Sequence, residues 1–167
     1  PDHTHCAIDT MALSHGKHTY GQKPLVQQLE EVAILRDMTE ANPNLSTQMG
    51  NQRMQSPGRR AAVHVMKSGT LGKCKEIFVT TGSGLKGGGG YFNNRAEQPV
   101  SEPPATLDWD LWQAGVQPQI GYRKDIHPLK WRAMWDYGTG GLGDWGCHLL
   151  DVIFYAFPEL DSPIAVQ

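Results

Sequence analysis

Hydrophobic positions in the first 70 residues follow a helical period in three segments, with two short strand-like segments at residues 17–22 and 45–50 between them. Pro43 is expected to end the second helix, and Ser56 and Pro57 are good N-cap and first-turn residues for the third. The predicted apolar faces consist of Ile8, Met11 and Ala12; of Leu25, Leu29, Val32 and Ala33; and of Ala62, Val65 and Met66. This alternation of helix and strand predicts an α/β fold with a parallel sheet covered by helices.

The organisation changes after residue 70. Residues 75–81 alternate between apolar and polar positions, as a half-buried strand does, and residues 82–107 then show no periodicity. A loop of that length within a compact chain is usually functional or disordered. We therefore place a domain boundary near residue 70, which divides the chain into units 1–70 and 71–167.

The segment 144–157 reads "DWGCHLLDVIFYAF", and its ionisable and hydroxyl-bearing residues are Asp144, His148, Asp151 and Tyr155. Steps of four, three and four place these four residues on one stripe of a helix that is otherwise apolar, which predicts a buried helix. Buried polar side chains must be satisfied by partners or must face a cavity. Asp144 and His148 are therefore either a structural pair or an oriented base at the rim of a pocket.

Gly138, Gly140 and Gly143 precede this helix with the spacing GxGxxG, which in a strand–turn–helix context binds the pyrophosphate of a dinucleotide. The preceding stretch "HPLKWRAMWDY" contains Pro128 and bulky residues without a period of two. A strand is not expected there, so these glycines are not predicted to bind a dinucleotide.

Composition narrows the class of protein. The 167 residues carry a net charge of only −2, and Lys and Arg are scattered, which does not favour a nucleic-acid-binding surface. No apolar run is long enough to span a membrane. Three cysteines at long spacings fit neither a disulfide framework nor a zinc site, so a cytoplasmic location is favoured. Export stays open, because a signal peptide would precede the first residue.

Five collinear motifs, "PDHTH", "GKHTYGQKPL", "TQMGNQ", "LDWDLW" and "WRAMWDYGTGGLGDWGCHLLD", resemble those of the Gfo/Idh/MocA oxidoreductases, which use NAD or NADP. The resemblance implies the second half of a Rossmann domain over 1–70. It further implies that 71–167 form the first part of an α+β domain with a mostly antiparallel sheet. The family's pyrophosphate fingerprint would lie ahead of the first residue here.

The resemblance also implies catalytic roles for Lys23, Asp144 and His148. Lys23 lies in "QKP", where the family's lysine neighbours the nicotinamide and the reacting hydroxyl, and a cation at the carboxyl end of a strand can stabilise a developing alkoxide. His148 would remove the hydroxyl proton while Asp144 orients it. Gln22 replaces the glutamate that is commonest in the family, which removes a negative charge beside Lys23.

Further site residues follow from the same motifs. Those expected to bind the cofactor are Pro1, Asp2, His5, Gln22, Lys23 and Pro24. Asn51 is expected to contact the substrate, while Tyr122, Trp131 and Arg132 either contact the substrate or fill the core. The mechanism requires no metal.

Three functions remain open at this stage. The first is an NAD(P)-dependent dehydrogenase acting on a hydroxyl of a sugar, a polyol or a related small molecule. The second is an enzyme that cleaves glycosides through transient oxidation, and the third is a non-catalytic sugar-binding relative. Homo-oligomerisation is expected from the resemblance, and the segment 82–107 is expected to determine substrate identity.

We predict that the chain as printed binds NAD weakly or not at all and is inactive alone. The glycines and helix N-terminus that hold the diphosphate in the family are not among its residues, which leaves only contacts to the nicotinamide side. Isothermal titration calorimetry with NAD tests this expectation. A dissociation constant on the order of micromolar, equivalent to about −8 kcal/mol, would contradict it.

Overall fold

The computed structural model describes residues 1–80 and 97–160; residues 82–96 of the predicted loop lie outside this range. The elements, in chain order, are α1 (Asp2–Ser14), β1 (Thr19–Gln22), α2 (Leu29–Ala41), β2 (Thr47–Gly50), α3 (Pro57–Lys67), α4 (Trp109–Trp112), a 3₁₀ turn (Lys130–Ala133) and α5 (Gly140–Ala156). None of the described helices is both long and apolar enough to cross a membrane.

The two predicted strands form a parallel pair, which confirms the α/β class. Thr19 lies opposite Thr47, and Gln22 lies opposite Gly50. Helix α1 packs against β1 and also against α2. Within the described residues the sheet has these two strands, so the antiparallel sheet and the Rossmann assignment stay predictions.

The predicted inward face of α1 is wrong. Ile8 and Met11 are each 61% exposed, whereas Asp9 and Leu13 are buried. The reason is the residue opposite: Gly21 in β1 has no side chain, and a Cβ atom there would collide with the Asp9 carboxylate. The space at Gly21 therefore admits a polar side chain of α1 against the strand.

Helix α2 begins later than its apolar period predicted. Gln28 and Glu31 form a capping box, in which the Gln28 N–H donates to Glu31 Oε2 at 2.9 Å, so Leu25 precedes the helix. Leu29 is 86% exposed and no residue of α2 is buried, so the predicted apolar face is wrong here too. The helix ends at Ala41, ahead of Pro43, as predicted.

Helix α3 starts where the sequence predicted. The Ser56 hydroxyl accepts a hydrogen bond from the Arg59 N–H at 3.4 Å, and Pro57 occupies the first helical position. The buried residue is Val63, however, and Val65 is 40% exposed. Helix α3 packs against α5, and that partner determines which face is covered.

The strand predicted at 75–81 is wrong for the residues that the structure describes. Residues 75–80 have no regular structure, and none of them pairs with another strand in the described parts of the chain. Alternating hydrophobicity alone does not make a strand, because its backbone N–H and C=O groups need a neighbouring strand.

The main hydrophobic cluster is formed by residues 109–137, which run from α4 to the segment before α5, and not by residues of the sheet. It consists of Trp109, Val116, Tyr122, Ile126, Trp131 and Tyr137. Trp109 stacks on Trp112 with ring centroids 4.8 Å apart, and Tyr122 meets Trp109 edge to face at 5.3 Å. Aromatic side chains that bury large areas therefore organise a segment with little regular secondary structure.

Helix α5 is only partly buried, contrary to the sequence prediction. It begins at Gly140, one turn before the predicted start, and its fully buried residues are Gly146 and Ala156. Leu142 is 76% exposed and Phe154 is 52% exposed. Packing of α5 on α3 and on the 3₁₀ turn covers part of its circumference, which is less than its apolar composition predicted.

We expect Tyr137→Phe to lower the free energy of unfolding by about 1 kcal/mol, because the buried Tyr137 hydroxyl donates to Gln113 Oε1 at 2.8 Å. Gln113 Oε1 keeps its bond from the Ile120 N–H, so the loss stays modest. Urea unfolding measures the change. Tyr20→Phe is the control, since Tyr20 is 72% exposed, and equal effects of both substitutions would contradict the assignment.

Candidate functional site

A cavity of about 550 Å³ lies where the carboxyl end of β1, the first residues of α1 and the first turns of α5 meet. Its size is in the range of small-molecule sites, and the carboxyl ends of parallel strands are where open α/β sheets bind ligands. Twelve residues line it: Pro1, Asp2, His5, Gln22, Lys23, Gln52, Arg53, Trp131, Arg132, Asp144, Trp145 and His148.

Gly138 and Gly140 connect the aromatic cluster to α5, whose first turns line the cavity. A Cβ atom on Gly138 would lie 2.7 Å from the backbone of Arg132, so only glycine permits this close approach. Gly140 has a φ of +67°, a conformation that other residues rarely adopt. These two glycines thus have local structural roles, and the expectation that they do not bind a dinucleotide stays a prediction.

Lys23 is held by Asp144. Lys23 Nζ lies 2.6 Å from Asp144 Oδ1 and 2.5 Å from the backbone oxygen of the same residue, and Lys23 is only 8% exposed. Arg132 Nε approaches Asp144 Oδ1 to 3.6 Å, and its guanidinium lies 4.4 Å from the centre of the Trp131 ring. The Asp144 carboxylate therefore contacts two cations, Lys23 at the end of β1 and Arg132 in the 3₁₀ turn.

His148 lies one turn after Asp144 and faces the same cavity. Its Nδ1 is buried and has no hydrogen-bond partner among the described residues. Burial lowers the pKa of His148 below the ordinary 6.5, and the nearby charge of Lys23 lowers it further, whereas the Gln52 backbone carbonyl and Asp144 act in the opposite direction. The lowered pKa favours the neutral imidazole at pH 7, and Nδ1 is then a buried nitrogen without a hydrogen-bond partner among the described residues.

The three residues predicted to be catalytic thus lie together. Asp144 pairs with Lys23, and no hydrogen bond links its carboxylate to Nδ1 of His148. Asp144 is therefore better placed to orient the lysine than to orient the histidine through that nitrogen. The catalytic roles themselves stay predictions.

The residues predicted to bind the cofactor divide into two groups. Pro1, Asp2, His5, Gln22 and Lys23 line the cavity, whereas Pro24 does not. Asp2 Oδ2 accepts hydrogen bonds from the Thr139 N–H at 3.0 Å and the Thr139 hydroxyl at 2.7 Å. His5 Nδ1 lies 2.6 Å from the Pro24 backbone oxygen. Asp2 thereby links the start of α1 to the residue before α5, and the Pro24 backbone contacts His5.

Gln22 makes a contact that a glutamate could not make. Its Nε2 donates to the backbone oxygen of Gly50 at 3.2 Å, and the Lys23 N–H donates to the same oxygen at 3.1 Å. A carboxylate in this position would place oxygen against oxygen. The amide therefore supports the pairing of β1 with β2 directly before Lys23.

The residues predicted to contact the substrate fall into two groups, those that line the cavity and those that do not. Trp131 and Arg132 line the cavity, and Trp131 also belongs to the aromatic cluster. Tyr122 is buried in that cluster and Asn51 contacts α5 instead, so neither lines the cavity. Asn51 Nδ2 donates to the backbone oxygen of Cys147 at 2.9 Å and lies 3.4 Å from Asp151 Oδ2.

The polar stripe of α5 separates into two halves. Asp144 and His148 face the cavity, while Asp151 Oδ1 pairs with Arg59 of α3 at 2.5 Å. Tyr155 is 61% exposed, and the Lys67 ammonium lies 4.9 Å from its ring centre. The second half of the stripe therefore holds α5 against α3 instead of facing a ligand.

Three cavity residues were not predicted from the sequence: Gln52, Arg53 and Trp145. Gln52 closes the "TQMGNQ" motif and Arg53 directly follows it, so that motif was the available signal. Trp145 was assigned to the apolar side of the helix, although its ring lies 5.9 Å from the Arg53 guanidinium carbon. Over residues 1–80 and 97–160, no cluster of three or more His, Cys, Asp or Glu side chains could hold a metal ion.

We expect Gln22→Glu to lower the melting temperature by a few degrees. Loss of the amide donor to Gly50 costs about 1 kcal/mol, which corresponds to roughly 2–4 °C for a chain of this size. Gln48→Glu is the matched control, because Gln48 is an exposed residue of β2. Thermal unfolding followed by circular dichroism compares the two, and an equal decrease in both would contradict the role of the Gln22 amide.

The comparisons with known proteins concern the second part of the chain. The model of the family described as "Oxidoreductase family, C-terminal alpha/beta domain" (GFO_IDH_MocA_C2) matches residues 58–167, from the first turn of α3 onward. No curated protein matches the chain closely enough to count as a relative. The matched segment covers more than half of the chain and includes α5 with Asp144 and His148, and the chain belongs to the Gfo/Idh/MocA oxidoreductase family.

Proposed function

We propose that the protein is an NAD(P)-dependent oxidoreductase that oxidises a hydroxyl group of a sugar, a polyol or a related small molecule. The observation that carries the proposal is the juxtaposition, on one cavity wall, of a buried, paired lysine and a histidine with an unpartnered buried nitrogen. Oxidation of an alcohol requires a base for the hydroxyl proton and a cation for the developing alkoxide, and His148 and Lys23 supply them.

Lys23 is oriented toward a substrate oxygen by its own bonds. An ammonium group has three N–H donors, and two of them are directed to the side-chain and backbone oxygens of Asp144. The third is available for an oxygen in the cavity. Because Asp144 fixes two donors, the direction of the third is determined by the fold.

His148 accepts the proton at Nδ1. Its lowered pKa leaves the ring neutral at pH 7, and the absence of a partner at Nδ1 leaves a lone pair for the hydroxyl. Protonation of the ring places a positive charge near Lys23 and Arg53, both of which already disfavour it. The proton is therefore held weakly.

The residues present fit a nicotinamide in the same cavity as His148. Pro1, Asp2, His5, Gln22 and Lys23 surround the start of α1 and the carboxyl end of β1, and their polar side chains can hydrogen-bond a carboxamide. When bound, the nicotinamide supplies the acceptor for the hydride of the carbinol carbon.

The cavity lining supports a polyhydroxylated substrate. Trp131 and Trp145 line the cavity together with charged and amide side chains. A sugar presents the same mixture of apolar C–H faces and hydroxyls that both donate and accept hydrogen bonds. This mixture supports a sugar or a polyol as the class of substrate.

The proposal is tested with the complete protein, NAD or NADP and a panel of sugars and polyols, by following the reduced nicotinamide. We expect His148→Ala to lower kcat by about 10² to 10⁴ with little change in melting temperature, because it removes a proton acceptor. We also expect kcat/KM to rise with pH and to reach half its maximum below pH 6.5, since the neutral imidazole is the active form and its pKa is lowered.

The control is His64→Ala, because His64 is an exposed histidine of α3 outside this cavity. Its activity should be unchanged. An early-melting His148→Ala protein that retains near-normal specific activity would show a structural histidine. Absence of turnover with every sugar and polyol, despite measurable binding of sugar, would favour the non-catalytic alternative.

A further inference from the structure

A second, smaller cavity of about 240 Å³ adjoins the candidate site, beyond the end of β2. Gln22, Gln52 and Arg53 line both cavities, so these three residues form the boundary between them. A ligand in the first cavity can therefore extend past them into the second.

The chemistry of the second cavity is neutral and rich in amides. Four carboxamide side chains line it, those of Gln22, Asn51, Gln52 and Gln55. Arg53 is the one charged side chain among its lining residues in the described part of the chain. A carboxamide offers both donors and acceptors, which matches the two roles of a sugar hydroxyl and does not match a strongly charged ligand.

Two of these amides have acceptors to offer. Gln22 Nε2 is engaged by the Gly50 backbone oxygen, so the hydrogen-bonding capacity that remains toward the cavity is mainly that of its oxygen. Asn51 Oδ1 is buried and has no hydrogen-bond partner among the described residues. A buried acceptor without a partner costs free energy unless a ligand or water supplies a donor, and a hydroxyl is such a donor.

Gly50 keeps the floor of this cavity open. A Cβ atom at Gly50 would lie 2.8 Å from Cε1 of the Tyr20 ring and 3.3 Å from Gln22 Oε1. The missing side chain leaves the Tyr20 ring, which is 72% exposed, along the cavity beside the amides. An exposed aromatic ring next to amide groups provides an apolar face and polar contacts to a single sugar unit.

Arg53 occupies the junction in an unusual conformation. Its φ is 79°, which a non-glycine residue rarely adopts, and such strained positions concentrate at ligand sites. Its guanidinium carbon lies 5.9 Å from the Trp145 ring centre, and Arg53 forms no ion pair within residues 1–80 and 97–160. Its donors are therefore available to a group that crosses from one cavity to the other.

From these observations we propose that the substrate is a glycoside of at least two sugar units: the reacting unit occupies the first cavity, and the second unit binds among Tyr20, Gln22, Asn51 and Gln55. Arg53 would donate to the glycosidic oxygen or a neighbouring hydroxyl. This proposal rests on the proposed function, and it narrows the substrate from free sugars and polyols to extended glycosides.

The test compares three forms of each sugar with the complete protein: the free monosaccharide, its methyl glycoside and the disaccharides in which that sugar is linked through the same carbon. Binding is measured by calorimetry and turnover by reduction of nicotinamide. We expect a disaccharide to bind and to react roughly tenfold better than the methyl glycoside, since one or two additional hydrogen bonds have that effect. Gln55→Ala should remove this advantage without changing the values for the methyl glycoside.

Gln55 is suited to the test because it lines the second cavity but not the first. Gln48→Ala, an exposed amide of β2 that lines neither cavity, is the matched control and should keep the preference. Equal values for methyl glycoside and disaccharide, or a preference that survives in Gln55→Ala, would overturn the extended site and leave the proposed function intact. Failure of every sugar form to bind would overturn both proposals.

Discussion

The buried pair of Lys23 and Asp144 is the contact on which the rest of the site depends. It joins residues 121 positions apart and connects the carboxyl end of β1 to the first turns of α5. Burying two charges costs about as much as their attraction returns, so the pair is not an argument for stability. The pair instead determines positions. Lys23 has one orientation, because a side-chain oxygen and a backbone oxygen of Asp144 both accept its hydrogen bonds. His148 lies one turn after Asp144 in α5.

The aromatic cluster determines where α5 begins, and it does so without regular secondary structure. Trp131 is anchored in the cluster and carries Arg132 on its ring face, which brings a second cation to Asp144. Gly138 then allows the chain to pass directly over the backbone of Arg132. The packing of the aromatic rings thereby determines where the Arg132 guanidinium lies at the cavity.

A polar network on the other side of α5 completes the arrangement. Asn51 donates to the backbone of Cys147, and Asp151 pairs with Arg59, so β2, α3 and α5 are joined by hydrogen bonds around one half of the polar stripe. Burial also raises the pKa of the Cys147 thiol, which makes that cysteine a packing residue and not a nucleophile at pH 7. The two adjoining cavities lie beside this network, and their lining is mainly polar.

The sequence by itself determined the order of the elements through residue 70, the Ser56 cap, the presence of a helix over residues 144–156 and the grouping of Lys23 with Asp144 and His148, because these depend on local periodicity, capping and motifs. Only the tertiary structure decided which helix faces are covered, because a face is buried by the element that packs on it and not by its own hydrophobic period. In α1, for example, Asp9 is buried against Gly21, where apolar residues were expected. It also placed Tyr122 in the core, directed Asn51 to α5 and brought Arg53 to the junction of two cavities, because such contacts arise between segments that are distant along the chain.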